Sequence, residues 1–177
     1  MKLLLRYFTV TVVLAVVSVA YALDVNSTVE QGWVVVTATL PHPKERVDTF
    51  LSQPATTMKL GDGVREVRIE PLEDGCTRMH VTNNGFAKTL SYTSMRCPIP
   101  GGWHSKMVAS EDFEEHDIQW VATPDGVNTS VSIRVKVSLK APIPDFVVRS
   151  VVTKGLTQTL SRLNAKLTDD DLARSAD

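Results

Sequence analysis

The hydrophobic period of this chain changes near its C-terminus, and this change limits the folds that the chain can adopt. Apolar and polar residues alternate from 130 to 139, which predicts a strand with one buried and one solvated face. After the proline-containing segment 141–144, apolar residues recur every three or four positions from 146 to 167. This spacing predicts an amphipathic helix of about six turns. A sheet with one apolar face needs a cover, and only this helix is long enough to provide one.

The segments before residue 130 predict the rest of such a sheet. The run 33–40 is rich in β-branched residues and reads as the first strand, and Pro43 favours the first turn of a helix over 44–51. Pro54 opens a second short helical or turn segment. The sequence Asn83-Asn84-Gly85 predicts a hairpin. Further strands are predicted around 66–70, 78–82, 90–95, 103–109 and 117–122, so the expected fold class is α+β.

The first 22 residues have the pattern of a secretory signal peptide. Lys2 and Arg6 precede an apolar run, and Ala20-Tyr21-Ala22 has the small-x-small form of a cleavage site. We therefore expect cleavage after Ala22 and a periplasmic or secreted protein. The alternative is an uncleaved membrane anchor, for which the run is short against a spanning length of about 20 residues.

The charge of the mature chain argues against nucleic acid as a partner. Loss of Lys2 and Arg6 leaves 17 basic and 20 acidic residues, a formal charge of −3. Nucleic-acid binding demands clustered basic residues, and here they are scattered.

Cys76 and Cys97 are the only cysteines in the sequence. In an oxidising compartment an even number of cysteines predicts one disulfide, and two separate buried thiols are the alternative. A hairpin centred on Asn84-Gly85 brings the pair to the same end of two strands but a few residues out of line. The spacing excludes a C-x-x-C redox motif, and no Cys/His set suggests zinc.

The order of elements is one strand, two short helices, about six meandering strands and one long helix. Segment 141–149 resembles the start of the final helix in bacterial members of the START-like (SRPBCC) superfamily, and segment 41–47 is similar to that family's opening. The family includes polyketide cyclase and lipid-transport domains. The resemblance spans 29–167 and implies a helix-grip fold, in which a curved antiparallel sheet of about seven strands wraps around the C-terminal helix. We expect a domain over 23–167 and a flexible polar tail over 168–177.

In that fold a hydrophobic cavity lies between the sheet and the last helix, so the resemblance implies a lipid-like or other hydrophobic small molecule as ligand. It implies no catalytic residues, cofactor or metal. Many relatives are cytosolic, so no intracellular partner is carried over. Export would instead allow transient contact with a membrane or an envelope protein. Each candidate lining residue has ordinary core packing as its alternative: Met107, Trp120, Ile133, Val135, Val137, Val148, Val152 and Leu156.

Gly155 and the histidines are further candidates. A glycine inside a helix costs about 1 kcal/mol relative to alanine and often marks close approach of another group, although simple tolerance would also explain it. His42, His80, His104 and His116 could move protons near neutral pH. His116 stands in an acidic cluster that could bind a cation, but a solvated turn is the favoured interpretation; His80 is expected to face water. The chain has no G-x-S-x-G elbow, phosphate-binding loop or dinucleotide fingerprint.

Three functions remain open at this stage. The leading hypothesis is an exported carrier or binding domain for a hydrophobic molecule. The second is a cyclase- or hydrolase-type enzyme, which needs an ionisable side chain with a shifted pKa in the cavity. The third is an envelope interaction protein with a filled core and no ligand.

Overall fold

The computed structural model describes residues 23–85 and 88–174, which form an α+β domain. The expected signal peptide, residues 1–22, lies outside the described residues. Within the described ranges, no helix combines the length and apolar character needed to cross a membrane. The elements in chain order are β1 (Val25–Glu30), β2 (Trp33–Leu40), α1 (Lys44–Leu51), α2 (Pro54–Met58), β3 (Val64–Pro71), β4 (Thr77–Asn84), β5 (Thr89–Ile99), β6 (Gly102–Ser110), β7 (Phe113–Asp125), β8 (Asn128–Leu139) and α3 (Asp145–Arg174).

The strands form one curved antiparallel sheet in the order β1-β2-β8-β7-β6-β5-β4-β3. The predicted order of a strand, two short helices, a meander of six strands and a long helix is confirmed from β2 onward, but β1 precedes it, so the sheet has eight strands rather than about seven. The alternation predicted for β8 is also confirmed, since every second residue from Thr129 to Val135 is buried.

The strand that the sequence did not predict is β1. It pairs along β2 from Val25↔Ala38 to Glu30↔Trp33. Five of its six residues are exposed, so it has no apolar face to signal a strand. The connecting residues Gln31 and Gly32 both have positive φ, 50° and 84°. A two-residue turn with positive φ at both positions matches the right-handed twist of a hairpin. Strand β1 lies at one edge of the sheet.

The C-terminal half of α3 packs into the main hydrophobic core. Leu160, Leu163 and Leu167 are almost fully buried in one cluster with apolar residues of β2 and β8. The flexibility of 168–177 stays a prediction, but the helix continues past the expected end of the domain at residue 167 as far as Arg174. The reason is that 168–174 contains no glycine or proline to end a helix. Residues 175–177 lie outside the described ranges.

The β4-β5 hairpin carries the predicted disulfide between Cys76 and Cys97. Pairing extends from Thr77↔Arg96 to Asn84↔Thr89, so the connection is longer than a two-residue turn centred on Asn84-Gly85. This longer loop brings the cysteines directly opposite each other, with a Cα–Cα distance of 4.2 Å. The expected offset of a few residues is therefore wrong, because it assumed too short a loop.

We predict that the disulfide contributes substantially to stability. The double substitution Cys76→Ser and Cys97→Ser should lower the free energy of unfolding by about 3 kcal/mol, because the unfolded chain regains the loop-closure entropy. Urea unfolding of the oxidised protein and the double variant measures this difference. Equal stability of the two proteins would contradict the prediction.

Candidate functional site

An open cavity of about 440 Å³ lies between the N-terminal half of α3 and the inner face of the sheet. Strands β7 and β8 form its floor and α3 forms one wall. The loop before β3 and the end of β4 close another side, through Gly61, Asp62 and Asn83. Most of the lining side chains are aliphatic or aromatic, as in pockets that bind small apolar molecules.

The structure brings five of the eight predicted lining residues to this cavity. They are Val135 and Val137 on β8 and Val148, Val152 and Leu156 on α3. All five are apolar, and whether any of them contacts a ligand stays a prediction.

The other three predicted lining residues lie elsewhere on the inner face. Ile133 is fully buried in the main core, which the C-terminal half of α3 also occupies. Trp120 lines a separate space of about 30 Å³, which leaves no room for more than very small molecules. Met107 packs into a second hydrophobic cluster centred on β4 and β5. Strand alternation correctly predicted that these three side chains face inward, but the residues lie at positions along their strands that are outside the cavity.

His116 is the cavity residue that the sequence analysis misjudged. It lies on β7, not in a solvated turn, and it pairs with Val137 on the adjacent strand β8. Its ring lies 4.4 Å from the ring of Tyr92 and 5.2 Å from that of Phe113, measured between centroids. An irregularity between Phe113 and Glu115 shifts the pairing, so that Phe113 and His116 both face inward although their separation is odd.

A sequence signal for His116 did exist. Residues 116, 118 and 120 alternate with the polar residues at 117 and 119, so a strand begun one residue earlier would have placed His116 on the same face as Trp120. The adjacent acidic residues pointed instead to a solvated turn. The other residues that line the cavity but were not predicted to do so share no single pattern: Gly61, Asp62, Asn83, Asn84, Gly85, Leu90, Phe113, Ile118, Leu139, Val151 and Thr159.

Burial determines the charge state of His116. Loss of hydration lowers its pKa to about 4, and the nearby Asp117 carboxylate opposes this shift only in part. The imidazole is therefore neutral near pH 7. Its Nδ1 is buried and has no hydrogen-bond partner among the described residues. A neutral imidazole offers one donor and one acceptor, so this ring brings unused hydrogen-bonding capacity to an apolar cavity.

Asn83 is a second polar side chain at the same site. Burial raises the pKa of Tyr92, and a hydrogen bond with the Asn83 side chain opposes that shift. The Oδ1 atom of Asn83 is itself buried and unpartnered within the described part of the chain. Asn83 and His116 thus both contact Tyr92 and both line the cavity.

Asp62 is the only ionisable carboxylate that lines the cavity in the described ranges. Its side chain is about half exposed and forms an ion pair with Arg162 on α3. Arg162 also donates a hydrogen bond of 2.9 Å to the Leu60 carbonyl oxygen. These contacts join α3 to the loop before β3. Arg162 itself does not line the cavity, and the described lining contains no lysine or arginine.

Gly155 lies on the wall that α3 contributes to the cavity. A Cβ atom added there would meet no atom within 4 Å. No close approach therefore requires glycine at this position. The absence of a side chain at Gly155 instead leaves space in the cavity. This is a third explanation of the glycine, beside close approach of another group and simple tolerance.

The remaining histidines lie outside the cavity. His42 is buried beside α3, where its Nε2 lies 3.2 Å from Asn164 Oδ1. His104 pairs with Asp117, with 2.6 Å between Nε2 and Oδ1. His80 is exposed, as predicted, and its Nδ1 lies 2.9 Å from Thr93 Oγ1. No group of three or more His, Cys, Asp or Glu side chains in the described ranges could hold a metal ion.

Arg96 is buried beneath α1 and lines the small space beside Trp120, not the cavity. It donates a hydrogen bond to the Leu51 carbonyl oxygen at the end of α1 and stacks on Trp103, with 4.3 Å between the guanidinium carbon and the ring centroid. Burial lowers its pKa to about 10, so it stays charged at neutral pH. These contacts attach α1 to the sheet.

Solved structures share this architecture at low sequence identity. A START superfamily protein from Mycobacterium smegmatis is 13% identical with a TM-score of 0.67, over 77% of this chain and 97% of that chain. The Zhui aromatase/cyclase from a Streptomyces species is 16% identical with a TM-score of 0.61, over 78% and 93%. Human StAR-related lipid transfer protein 5 is 11% identical with a TM-score of 0.63, over 86% and 89%.

Neither a protein-family model nor a curated protein sequence matches the chain. The structural similarity shows the fold, which is the START-like helix-grip fold that the resemblance implied.

The burial of His116 predicts a loss of stability in acid. Its folded-state pKa of about 4 lies below the ordinary 6.5, so the unfolded chain binds more protons between these two values. The free energy of unfolding should therefore fall as the pH falls through this window, by up to about 3 kcal/mol for this group. Urea unfolding from about pH 7 to about pH 4.5 should show a smaller loss for His116→Phe than for the wild type.

The matched control is His80→Phe, which removes a histidine outside the cavity and should keep the wild-type pH dependence. If His116→Phe lost as much stability as the wild type, the protonation of His116 would not be the cause.

Proposed function

We propose that this protein is an exported binding or carrier domain for a hydrophobic small molecule held between the sheet and the N-terminal half of α3. The observation that carries the proposal is the open apolar cavity of about 440 Å³. Small-molecule sites typically have volumes of about 300–1,000 Å³ and a mainly apolar lining with a few polar groups. Burial of ligand surface would supply about 25 cal/mol per Å² of apolar area.

The comparisons support the same class of ligand. One similar structure is described as a lipid transfer protein and another as an aromatase/cyclase. A ligand-free envelope protein with a filled core is disfavoured, because the volume of about 440 Å³ falls within the range of about 300–1,000 Å³ for small-molecule sites, whereas packed cores leave few voids larger than a water molecule.

An enzyme of cyclase or hydrolase type is the second candidate. The observation that favours it is His116, an ionisable cavity residue whose pKa is strongly lowered. A neutral imidazole could accept a proton from a bound substrate. The described cavity lining holds no Ser or Cys nucleophile, so carriage without covalent catalysis remains our first choice.

Export is part of the proposal and depends on the N-terminal sequence. The disulfide between Cys76 and Cys97 supports it, because disulfides persist in oxidising compartments. Transient contact with a membrane or an envelope protein also stays a proposal. The residue to test for such a contact is Phe146, whose side chain is 74% exposed and which lies two residues before the cavity-lining Val148.

We expect the purified protein to carry a hydrophobic molecule that is lost when the cavity is filled. Gly155→Phe should reduce the amount recovered, because its ring would occupy the free space beside Gly155. Solvent extraction followed by mass spectrometry measures the bound compound, and native mass spectrometry measures its stoichiometry.

Gly155→Ala is the matched control at the same position. It should retain the ligand and raise the free energy of unfolding by up to about 1 kcal/mol through helix propensity. If no compound is found with the wild type, and added hydrophobes do not bind, the proposed function is wrong.

Export has a separate test. The full chain expressed in a Gram-negative bacterium should appear in the periplasmic fraction with Leu23 as its N-terminal residue and without a free thiol. Recovery of the intact N-terminus in the membrane fraction would support the uncleaved anchor instead.

A further inference from the structure

Three apolar side chains at the start of α3 lie at the protein surface. Phe146 is 74% exposed and Val151 is 46% exposed, and Val147 is partly buried. With 3.6 residues per turn, the three residues fall within an arc of about 140° on one side of the helix. They therefore form one continuous apolar surface, which we call the α3 patch.

The α3 patch borders the opening of the cavity. Val151 belongs to both, because it lines the cavity and is also exposed. Val148 and Gly155, which come next around the helix, line the cavity as well. An apolar path thus leads from Phe146 along the surface of α3 into the cavity.

The residues before α3 extend this apolar surface. Pro142 and Pro144 are both exposed in the segment that leads into the helix. By contrast, Val127 is 86% exposed as a single apolar residue between Gly126 and Asn128, in the turn that joins β7 to β8. Single exposed apolar residues are normal on protein surfaces, whereas a continuous apolar patch marks a site of interaction.

The small size of the patch favours a lipid surface over a protein partner. A stable protein interface uses about 20–30 residues on each side, and the α3 patch has three, with two exposed prolines before it. A bilayer requires less contact, because transfer of one phenylalanine side chain into an apolar phase already strengthens binding by about tenfold or more.

The charged residues beside the patch suit phospholipid headgroups. Lys154 is exposed and lies two turns after Val147 on the same side of the helix. A lysine can extend its apolar stem along the patch while its ammonium group stays among the headgroup phosphates. The acidic residue at the start of the helix, Asp145, is paired with Arg149, with 3.8 Å between Oδ2 and Nη2.

We propose that the α3 patch inserts into the surface of a phospholipid bilayer and thereby brings the opening of the cavity against the membrane. Phe146 enters the apolar region of the bilayer and Lys154 stays at the headgroups. The inference rests on the proposed function, since the bilayer would be the source or the destination of the hydrophobic molecule.

Flotation of the purified protein with vesicles of phosphatidylcholine and phosphatidylglycerol tests the inference. The wild type should float with the vesicles, and Phe146→Ser should lower the partition coefficient about tenfold, because the variant loses the largest apolar side chain of the patch. Val127→Ser is the matched control. It removes an equally exposed type of side chain at the opposite end of β8, roughly 40 Å of strand away, and should bind vesicles like the wild type.

Binding of pyrene in the absence of vesicles separates docking from the cavity. Phe146 does not line the cavity, so Phe146→Ser should bind pyrene as tightly as the wild type, which also shows that the variant is folded. If Phe146→Ser weakened pyrene binding and left vesicle binding unchanged, Phe146 would serve the cavity and the inference would be wrong.

Three further results would overturn the inference. The first is a wild type that does not bind vesicles. The second is equal vesicle binding by the wild type and Phe146→Ser, which would assign the contact to another part of the chain, such as residues 1–22. The third is self-association that Phe146→Ser abolishes without any binding to vesicles, which would make the patch an interface between two copies. In each case retained binding of pyrene would leave the proposed function intact, whereas vesicle binding without any pyrene binding would count against the proposed function alone.

Discussion

The packing of the C-terminal half of α3 against β2 and β8 is the interaction on which the rest of this structure depends. Leu160, Leu163 and Leu167 are almost fully buried there, and they hold the helix against the sheet at one end. Toward its N-terminus the same helix lines the cavity with Val148, Val152 and Gly155, and a Cβ atom added at Gly155 would meet no atom within 4 Å. The cavity thus results from one helix that is fully packed along part of its length only.

The cavity combines two properties that conflict in terms of stability. Covering its apolar walls would lower the free energy of the folded state. Its buried polar atoms raise that free energy, because nothing in the described chain forms hydrogen bonds with them. A stable core would be expected to fill the space and to replace His116 with a hydrocarbon side chain. Functional sites commonly retain such local costs, which the rest of the fold compensates. Here the main core and the disulfide across the β4-β5 hairpin provide that compensation.

Comparison of the predicted and observed sites shows which information the sequence carries. The alternation in β8 identified Val135 and Val137 as inward-facing residues, and the helical period identified Val148, Val152 and Leu156. The same patterns could not distinguish these positions from Ile133 and Trp120, which also face inward but lie where the interior is filled or nearly filled.

Two features of the structure were not evident from the local sequence pattern. The shift in pairing between Phe113 and Glu115 brings Phe113 to the same face as His116, and the acidic neighbours of His116 pointed to a solvated turn instead. The polar edge strand β1 depends on a turn with positive φ at Gln31 and Gly32 and lacks an apolar face. Both features depend on how a strand pairs with its neighbour, and one strand's sequence contains that information only weakly.

The sequence by itself determined the α+β class, the order of most elements, the facing of β8 and the existence of a long amphipathic final helix. These follow from periodicity, turn residues and prolines, which act over a few neighbouring residues. The cysteine count also allowed the disulfide, although the exact alignment of Cys76 with Cys97 came from the length of the hairpin loop. Only the tertiary structure decided where the interior is filled and where it is open, and that His116 and Asn83 share one end of the open part. The physical reason is that an empty volume depends on the distances between elements far apart in the chain, whereas a side chain's direction depends mainly on its own strand or helix.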